Sequence, residues 1–241
     1  MTKPDIAILD IPPVLNFRSI ASLRERIAEF EVARPSVVIM SSRVPGTFCR
    51  GLDLGDSAGE LPMFQEVFSS YCQHLEEIQR SCRPVIAVVE GACLGGGLGL
   101  AACADLVYAR EEATLGLPEL WLGLIPGICS VALEARLSQH EIKKLALEAG
   151  TVSAREALKR GLVDEVHPDE VSLNQAIEKV ARRAKDYTSV SIAALKGLLM
   201  ETRGVDRSTA LAMSREKMDE LLQAPETRDL LKRRLEQLEC C

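Results

Sequence analysis

Apolar residues along the first part of the chain fall into two rhythms. Short runs that are almost wholly apolar, residues 6–11, 36–41 and 84–89, are too short for helices and rich in Val and Ile. They predict strands buried on both faces of a mostly parallel sheet, the first ended by Pro12-Pro13. Between them, apolar positions recur every three or four residues: at 20, 23, 27 and 30, and again at 64, 67, 68, 71, 75 and 78. That spacing predicts amphipathic helices over residues 19–30, with Ser19 as a cap, and over residues 62–80. Strand, helix, strand, helix is the order of an α/β fold. From Val171 on the rhythm is helical throughout, over residues 173–185, 189–200, 206–222 and 226–238. The expected organisation is a core domain over residues 1–170 and a helical C-terminal region over residues 171–241.

Two strands run out into glycine-bearing turns. Residues 84–89 lead to Gly95-Gly96-Gly97, and Leu98, Leu100, Ala101 and Ala102 follow as if opening a buried helix. Such a turn reads either as a tight connection with no ligand or as backbone that approaches a ligand, with the first helical amides unpaired. The glycine spacing does not match a dinucleotide site. The strand over 36–41 empties into a second such stretch, with Gly46 and Gly51. Turns at the carboxyl ends of parallel strands share one edge, so two of them can place two backbone amides on one oxygen. Arg18, between the first strand and the first helix, reads as a solvated loop residue or as a phosphate contact.

Composition narrows the partners. With 241 residues, the chain suits one large domain or one domain with an appendage. Net charge is -6, from 29 basic and 35 acidic side chains, and no basic block could follow a phosphate backbone, so no nucleic-acid partner is expected. The N-terminus has no charged-then-apolar signal region, and no run of about 18 apolar residues occurs. A cytoplasmic protein with no membrane contact is expected. The 8 cysteines form no CxxC pair and read as buried thiols in a reducing compartment, with Cys240 and Cys241 frayed. His74, His140 and His167 form no ligand cluster, so no metal is expected.

Four motifs then stand in order: Phe48-Cys49-Arg50-Gly51-Leu52-Asp53-Leu54; Gly91-Ala92-Cys93-Leu94-Gly95-Gly96-Gly97; Ala104-Asp105-Leu106-Val107-Tyr108-Ala109; and Pro118-Glu119 with Gly123-Leu124-Ile125-Pro126-Gly127. Together they resemble the crotonase (enoyl-CoA hydratase/isomerase) superfamily, most closely over residues 48–166. The resemblance implies a spiral core of repeated ββα units and a helical C-terminal region that assembles a homotrimer or a hexamer. It implies an oxyanion hole from the amides of Leu52 and Gly96, flanked by Gly51 and Gly95. It also implies acyl-CoA or acyl carrier protein thioesters as substrates, with CoA or phosphopantetheine part of the substrate and no other cofactor.

An enolate next to a thioester carbonyl needs fixed donors for its oxygen and a base for its proton. Family hydratases use two glutamates, whereas this chain has Gly99 at the first position and Glu119 at the second. The apolar neighbours of Glu119 favour a raised pKa and catalysis; the bland alternative is a surface carboxylate at a strand-to-helix junction. One carboxylate suffices for dehydration of a 3-hydroxyacyl thioester or for Δ3,Δ2-enoyl isomerisation. The Gly99 substitution and the text around Arg50 and Leu124 look most like the dehydratases of polyketide β-branching cassettes, which act on a 3-hydroxy-3-methylglutaryl thioester. Arg50 is then a candidate for the distal carboxylate, or a solvent-facing side chain. Generic enoyl-CoA hydration and a non-catalytic crotonase-fold subunit are the competing readings.

Overall fold

The computed structural model describes residues 5–53, 55 and 61–239. In chain order the elements are β1 (Ile6–Asp10), α1 (Phe17–Ala33), β2 (Val37–Ser41), β3 (Thr47–Cys49), α2 (Leu61–Arg80), β4 (Val85–Val89), β5 (Ala92–Leu94) and α3 (Gly96–Cys103). Then follow β6 (Leu106–Arg110), β7 (Thr114–Gly116), a 3-10 turn (Glu119–Leu122), α4 (Gly127–Leu133), α5 (Gln139–Glu148), β8 (Thr151–Ser153), α6 (Ala154–Arg160), β9 (Glu165–His167) and α7 (Glu170–Ala184). The last helices are α8 (Ser189–Glu201), α9 (Arg207–Gln223) and α10 (Pro225–Glu239).

The strands form two sheets. One is parallel throughout, in the order β1-β2-β4-β6-β9; the other is β3-β5-β7-β8, in which β8 runs antiparallel to β7. Three successive turns of the chain, β2-β3, β4-β5 and β6-β7, add one strand to each sheet before the next helix, which is the expected ββα repeat. The glycine turns therefore do not follow the long strands directly. Short strands of the second sheet, β3 and β5, stand between, because the chain must turn a corner to close the core from another side. At that corner Gly91 packs so closely on Gly46 that a Cβ on Gly91 would lie 2.0 Å from the Gly46 carbonyl carbon.

Apolar periodicity explains the layers. All five residues of β4 are buried. On α2 the buried positions Val67, Tyr71, Leu75 and Ile78 fall on one stripe, which faces the main core together with Ile20, Leu23, Ile27 and Phe30 of α1. Helix α1 is capped by Asn16 rather than by Ser19. The Asn16 side chain accepts from the Ser19 amide at 2.9 Å and Ser19 Oγ accepts from the Asn16 amide at 2.9 Å, a reciprocal box that starts the helix earlier than the apolar pattern does.

The described residues fall into two compact units that divide between Lys185 and Asp186. The reason is α7. Its Leu173, Ile177 and Ala181 complete a second apolar cluster with Val37, Ile39, Ile86 and Val88 on the outer face of the parallel sheet. In the second unit α8, α9 and α10 include no fully buried described residue, and Leu195, Leu199 and Leu211 are each more than half exposed. Cys49, Cys93, Cys103 and Cys129 are buried free thiols and Cys72 and Cys82 are half-buried. The expectation for Cys240 and Cys241 falls outside the described residues, as does the Leu54 end of the first motif. Among the described residues no helix is long and apolar enough to cross a membrane.

Candidate active site

The loop after β3 is held by the segment before α1. Arg50 N–H donates to the Pro13 carbonyl (2.8 Å), Leu15 N–H to the Gly51 carbonyl (2.8 Å), and Asp53 N–H to the Leu15 carbonyl (2.7 Å). This single parallel bridge between Leu15 and Leu52 uses the groups on either side of the Leu52 amide. The Leu52 N–H itself has no acceptor among the described residues. Gly51 sits at φ +95, and a Cβ there would lie 2.9 Å from the Gly96 nitrogen, so only glycine permits the approach.

The second turn is fixed from its own side. Gly95 N–H donates to the Gly116 carbonyl at 3.0 Å and Gly99 N–H to the Gly95 carbonyl at 3.1 Å. Gly96, first residue of α3, keeps an N–H with no acceptor among the described residues. A Cβ on Gly96 would stand 3.5 Å from the Leu52 nitrogen, so the two unpaired amides are neighbours. At the other end of α3, Arg136 donates to the carbonyls of Ala102 (3.4 Å) and Ala104 (2.9 Å) and pairs with Asp164 (2.9 Å). Arg136 thereby covers part of the carbonyl end, and the amide end is left facing the cavity.

Both turns open on an apolar cavity of about 390 Å³. Its opposite wall runs from Pro118 to Cys129. Glu119 starts the 3-10 turn, which closes with Gly123 in the left-handed region at φ 75 and with a bond from Leu124 N–H to the Glu119 carbonyl at 2.9 Å. Oε1 of Glu119 accepts from the Cys129 thiol at 3.8 Å, and a Cβ on Gly95 would come within 3.0 Å of it. Oε2 is buried with no hydrogen-bond partner. Burial raises the pKa of Glu119 above the ordinary carboxylate value; its own backbone amide and the Cys129 thiol pull weakly the other way.

Of the predicted site residues, Glu119, Leu52, Gly96, Arg50, Gly51 and Gly95 all line this one cavity. Arg18 does not: it is exposed in the first turn of α1, outside the cavity lining. Two further lining residues carry polar atoms that the sequence patterns passed over, Tyr71 and Cys129. Tyr71 reads in the sequence only as an apolar position of α2, yet its hydroxyl donates to the Gly96 carbonyl at 2.5 Å. A Cβ on Gly99 would meet that hydroxyl at 2.3 Å and Cys129 Sγ at 3.3 Å. The volume into which a side chain at 99 would point is therefore occupied by the phenol. Among the described residues, Glu119 is the one carboxylate that lines the cavity and Arg50 the one cation.

Turns of two strands and a helix, stacked so that paired free amides face a half-buried carboxyl, define a protein of the crotonase fold. The chain belongs to the enoyl-CoA hydratase/isomerase family, whose model matches residues 8–239. It is 30% identical over 224 residues to the 2,3-dehydroadipyl-CoA hydratase of Escherichia coli (strain K12), covering 91% of this chain and 87% of that protein. It is 36% identical over 130 residues to the mitochondrial enoyl-CoA hydratase of Pongo abelii, covering 51% of this chain and 44% of that one. Among solved structures, an enoyl-CoA hydratase/isomerase from Marinobacter aquaeolei superposes with a TM-score of 0.87 at 25% identity, over 98% of this chain and 95% of that one.

Proposed function

We propose that the protein dehydrates a 3-hydroxyacyl thioester, with Glu119 as the single acid and base. The observation that carries this reading is the pairing of one carboxylate with a position 99 closed by Tyr71, which leaves no room for a second glutamate. The Glu119 carboxylate removes the α-proton. Charge that develops on the thioester oxygen is held by the amides of Leu52 and Gly96, aligned before the reaction and needing no reorganisation. The same carboxyl, now protonated, returns its proton to the β-hydroxyl, which leaves as water while the double bond forms. A raised pKa suits both halves, because the group must take a proton and then give it up near the operating pH.

Hydratase names among the relatives support the reading, since hydration of a 2-enoyl thioester is this reaction run backwards. CoA or a carrier protein's phosphopantetheine arm enters as part of the substrate. An acyl group with a distal carboxylate, such as 3-hydroxy-3-methylglutaryl, would use Arg50, which lines the cavity and remains exposed. Assembly into a homotrimer or hexamer, with the protein in the cytoplasm, completes the proposal; the apolar side chains that α8 and α9 leave exposed are suited to contacts between copies.

The test is direct. The protein is incubated with 3-hydroxyacyl thioesters, 3-hydroxy-3-methylglutaryl included, and with 3-enoyl thioesters, each on CoA and on carrier protein, and the products are followed by mass and by proton position. Loss of water from a hydroxyacyl thioester is the expected result. Migration of the double bond in the 3-enoyl substrates alone would establish isomerisation instead, and inertness toward all of them would favour a binding subunit.

A further inference from the structure

We propose that Cys129 is a positioning residue for Glu119: its thiol engages Oε1 and so holds the carboxyl in one orientation at the wall of the cavity. The inference rests on the dehydratase reading only for which proton is moved. Three observations carry it. Cys129 Sγ lies 3.8 Å from Oε1, while Oε2 is buried without any partner. Gly95 also packs on Oε1, so closely that a Cβ there would stand 3.0 Å away, so the two carboxylate oxygens are made inequivalent by packing. Finally, the thiol is itself fixed, because Cys129 is 5% exposed on α4 and meets the Tyr71 hydroxyl over the Cα of Gly99.

The choice of sulfur has a physical sense. A thiol is a weak donor that packs as a small apolar group. It can orient the carboxyl without stabilising the anion as strongly as a hydroxyl would, which leaves the base its strength. Burial, first, and the nearby Glu119 both push the thiol's own pKa up, so it stays protonated and acts as a donor, not as a second base. Among the described residues, the other titratable side chains that line the cavity are Tyr71 on α2, held protonated by burial, and Arg50 beside the first glycine turn.

Two variants test the proposal, Cys129→Ala and Cys129→Ser. The Glu119 carboxyl is titrated in the substrate-free protein by infrared difference spectroscopy with 13C-glutamate, the band being assigned by its loss in Glu119→Gln. The acid limb of the pH profile of kcat/KM is then measured on the substrate turned over best. Removing the thiol should raise the Glu119 midpoint by roughly half to one pH unit, the worth of one modest hydrogen bond, and lower kcat more than it changes KM. Serine should bring the midpoint back to the parent value or below it. A midpoint that stays at the parent value in both variants overturns the proposal. Because the infrared titration needs no substrate, a protein inert toward hydroxyacyl thioesters would sink the functional reading while the role of the thiol is still decided.

Discussion

The two walls of the cavity differ in what they expose and what they do. On one side Gly51, Gly95, Gly96 and Gly97 are all buried, and backbone touches backbone: a Cβ on Gly97 would lie 2.2 Å from the Cys49 carbonyl oxygen. On the other, the stretch from Glu119 to Ile125 is a short 3-10 turn and loop, with Trp121 81% exposed and Ile125 77% exposed. The glycine wall offers two amides whose positions the whole core determines. The acid wall offers one side chain whose ionisation its local surroundings determine. On the proposed reading the fixed dipoles stand on the closely packed wall and the group that would gain and lose a proton on the more exposed one, which separates two demands that would conflict in a single segment.

The sharpest way to break the comparison is to take the chemistry off the acid wall. Glu119→Gln should lower dehydration at least about 100-fold. It should leave the thermal midpoint unchanged or raise it. The sign follows from the raised pKa of this carboxyl: relative to the unfolded chain the folded state favours its protonated form, so the charged form at neutral pH is a cost that the amide removes. A variant that keeps a tenth of the activity would place the proton transfer elsewhere.

The next largest effect concerns the helix behind the glycine wall. His74 lies fully buried on α2, one turn beyond Tyr71, and burial lowers its pKa to about 4, against a weaker opposing pull from Glu77. The unfolded chain takes up this proton near pH 6.5 and the folded protein only near pH 4, so stability present at neutral pH is lost as the pH falls through that window. The loss should approach about 3 kcal/mol near the lower limit. Urea unfolding at several pH values, with His74→Leu beside the parent, isolates it: the parent should lose more than the variant, and an equal loss in both would remove His74 from the account.

Glycines on the two walls sharpen the contrast further. Gly97→Ala should destabilise by about 1–3 kcal/mol and abolish turnover, because backbone has to move. Gly123→Ala, at φ +75 with nothing within 4 Å, should cost only the left-handed conformation, about 1 kcal/mol. Gly99→Ala should cost about 1–2 kcal/mol in the parent and less when Tyr71 is Phe, since the hydroxyl is the nearest colliding atom. Equal costs in the two backgrounds would mean that Tyr71 does not fill this position. Smallest of all, Trp121→Ala should shift unfolding by no more than about 0.5 kcal/mol.

Much of this was legible in the chain itself. Fully apolar runs of strand length, three- and four-residue spacing on α1 and α2, and the two glycine turns each follow from local steric and hydrophobic rules, and they point to the α/β order; that Glu119, Leu52 and Gly96 are neighbours is implied by the resemblance to the crotonase superfamily. Where spacing alone was used, boundaries slipped. Apolar spacing does not reveal the Asn16 cap, because the reciprocal box precedes the first apolar position, and a helical pattern such as that of α7 does not disclose which sheet face it covers.

What only the tertiary structure decided is the character of the site. Gly99, set beside the two-glutamate pattern of the family's hydratases, says that one glutamate is missing; it does not say that Tyr71, far off in the chain, fills its place and ties down the Gly96 carbonyl. Nor does an apolar setting for Cys129 disclose that its thiol meets one oxygen of Glu119 and not the other. Patterns along a chain encode which residues are buried and which backbone angles are possible, because those are local properties. Which polar atoms share a cavity depends on the packing of distant elements, and that is settled only when the sheets and helices close on one another.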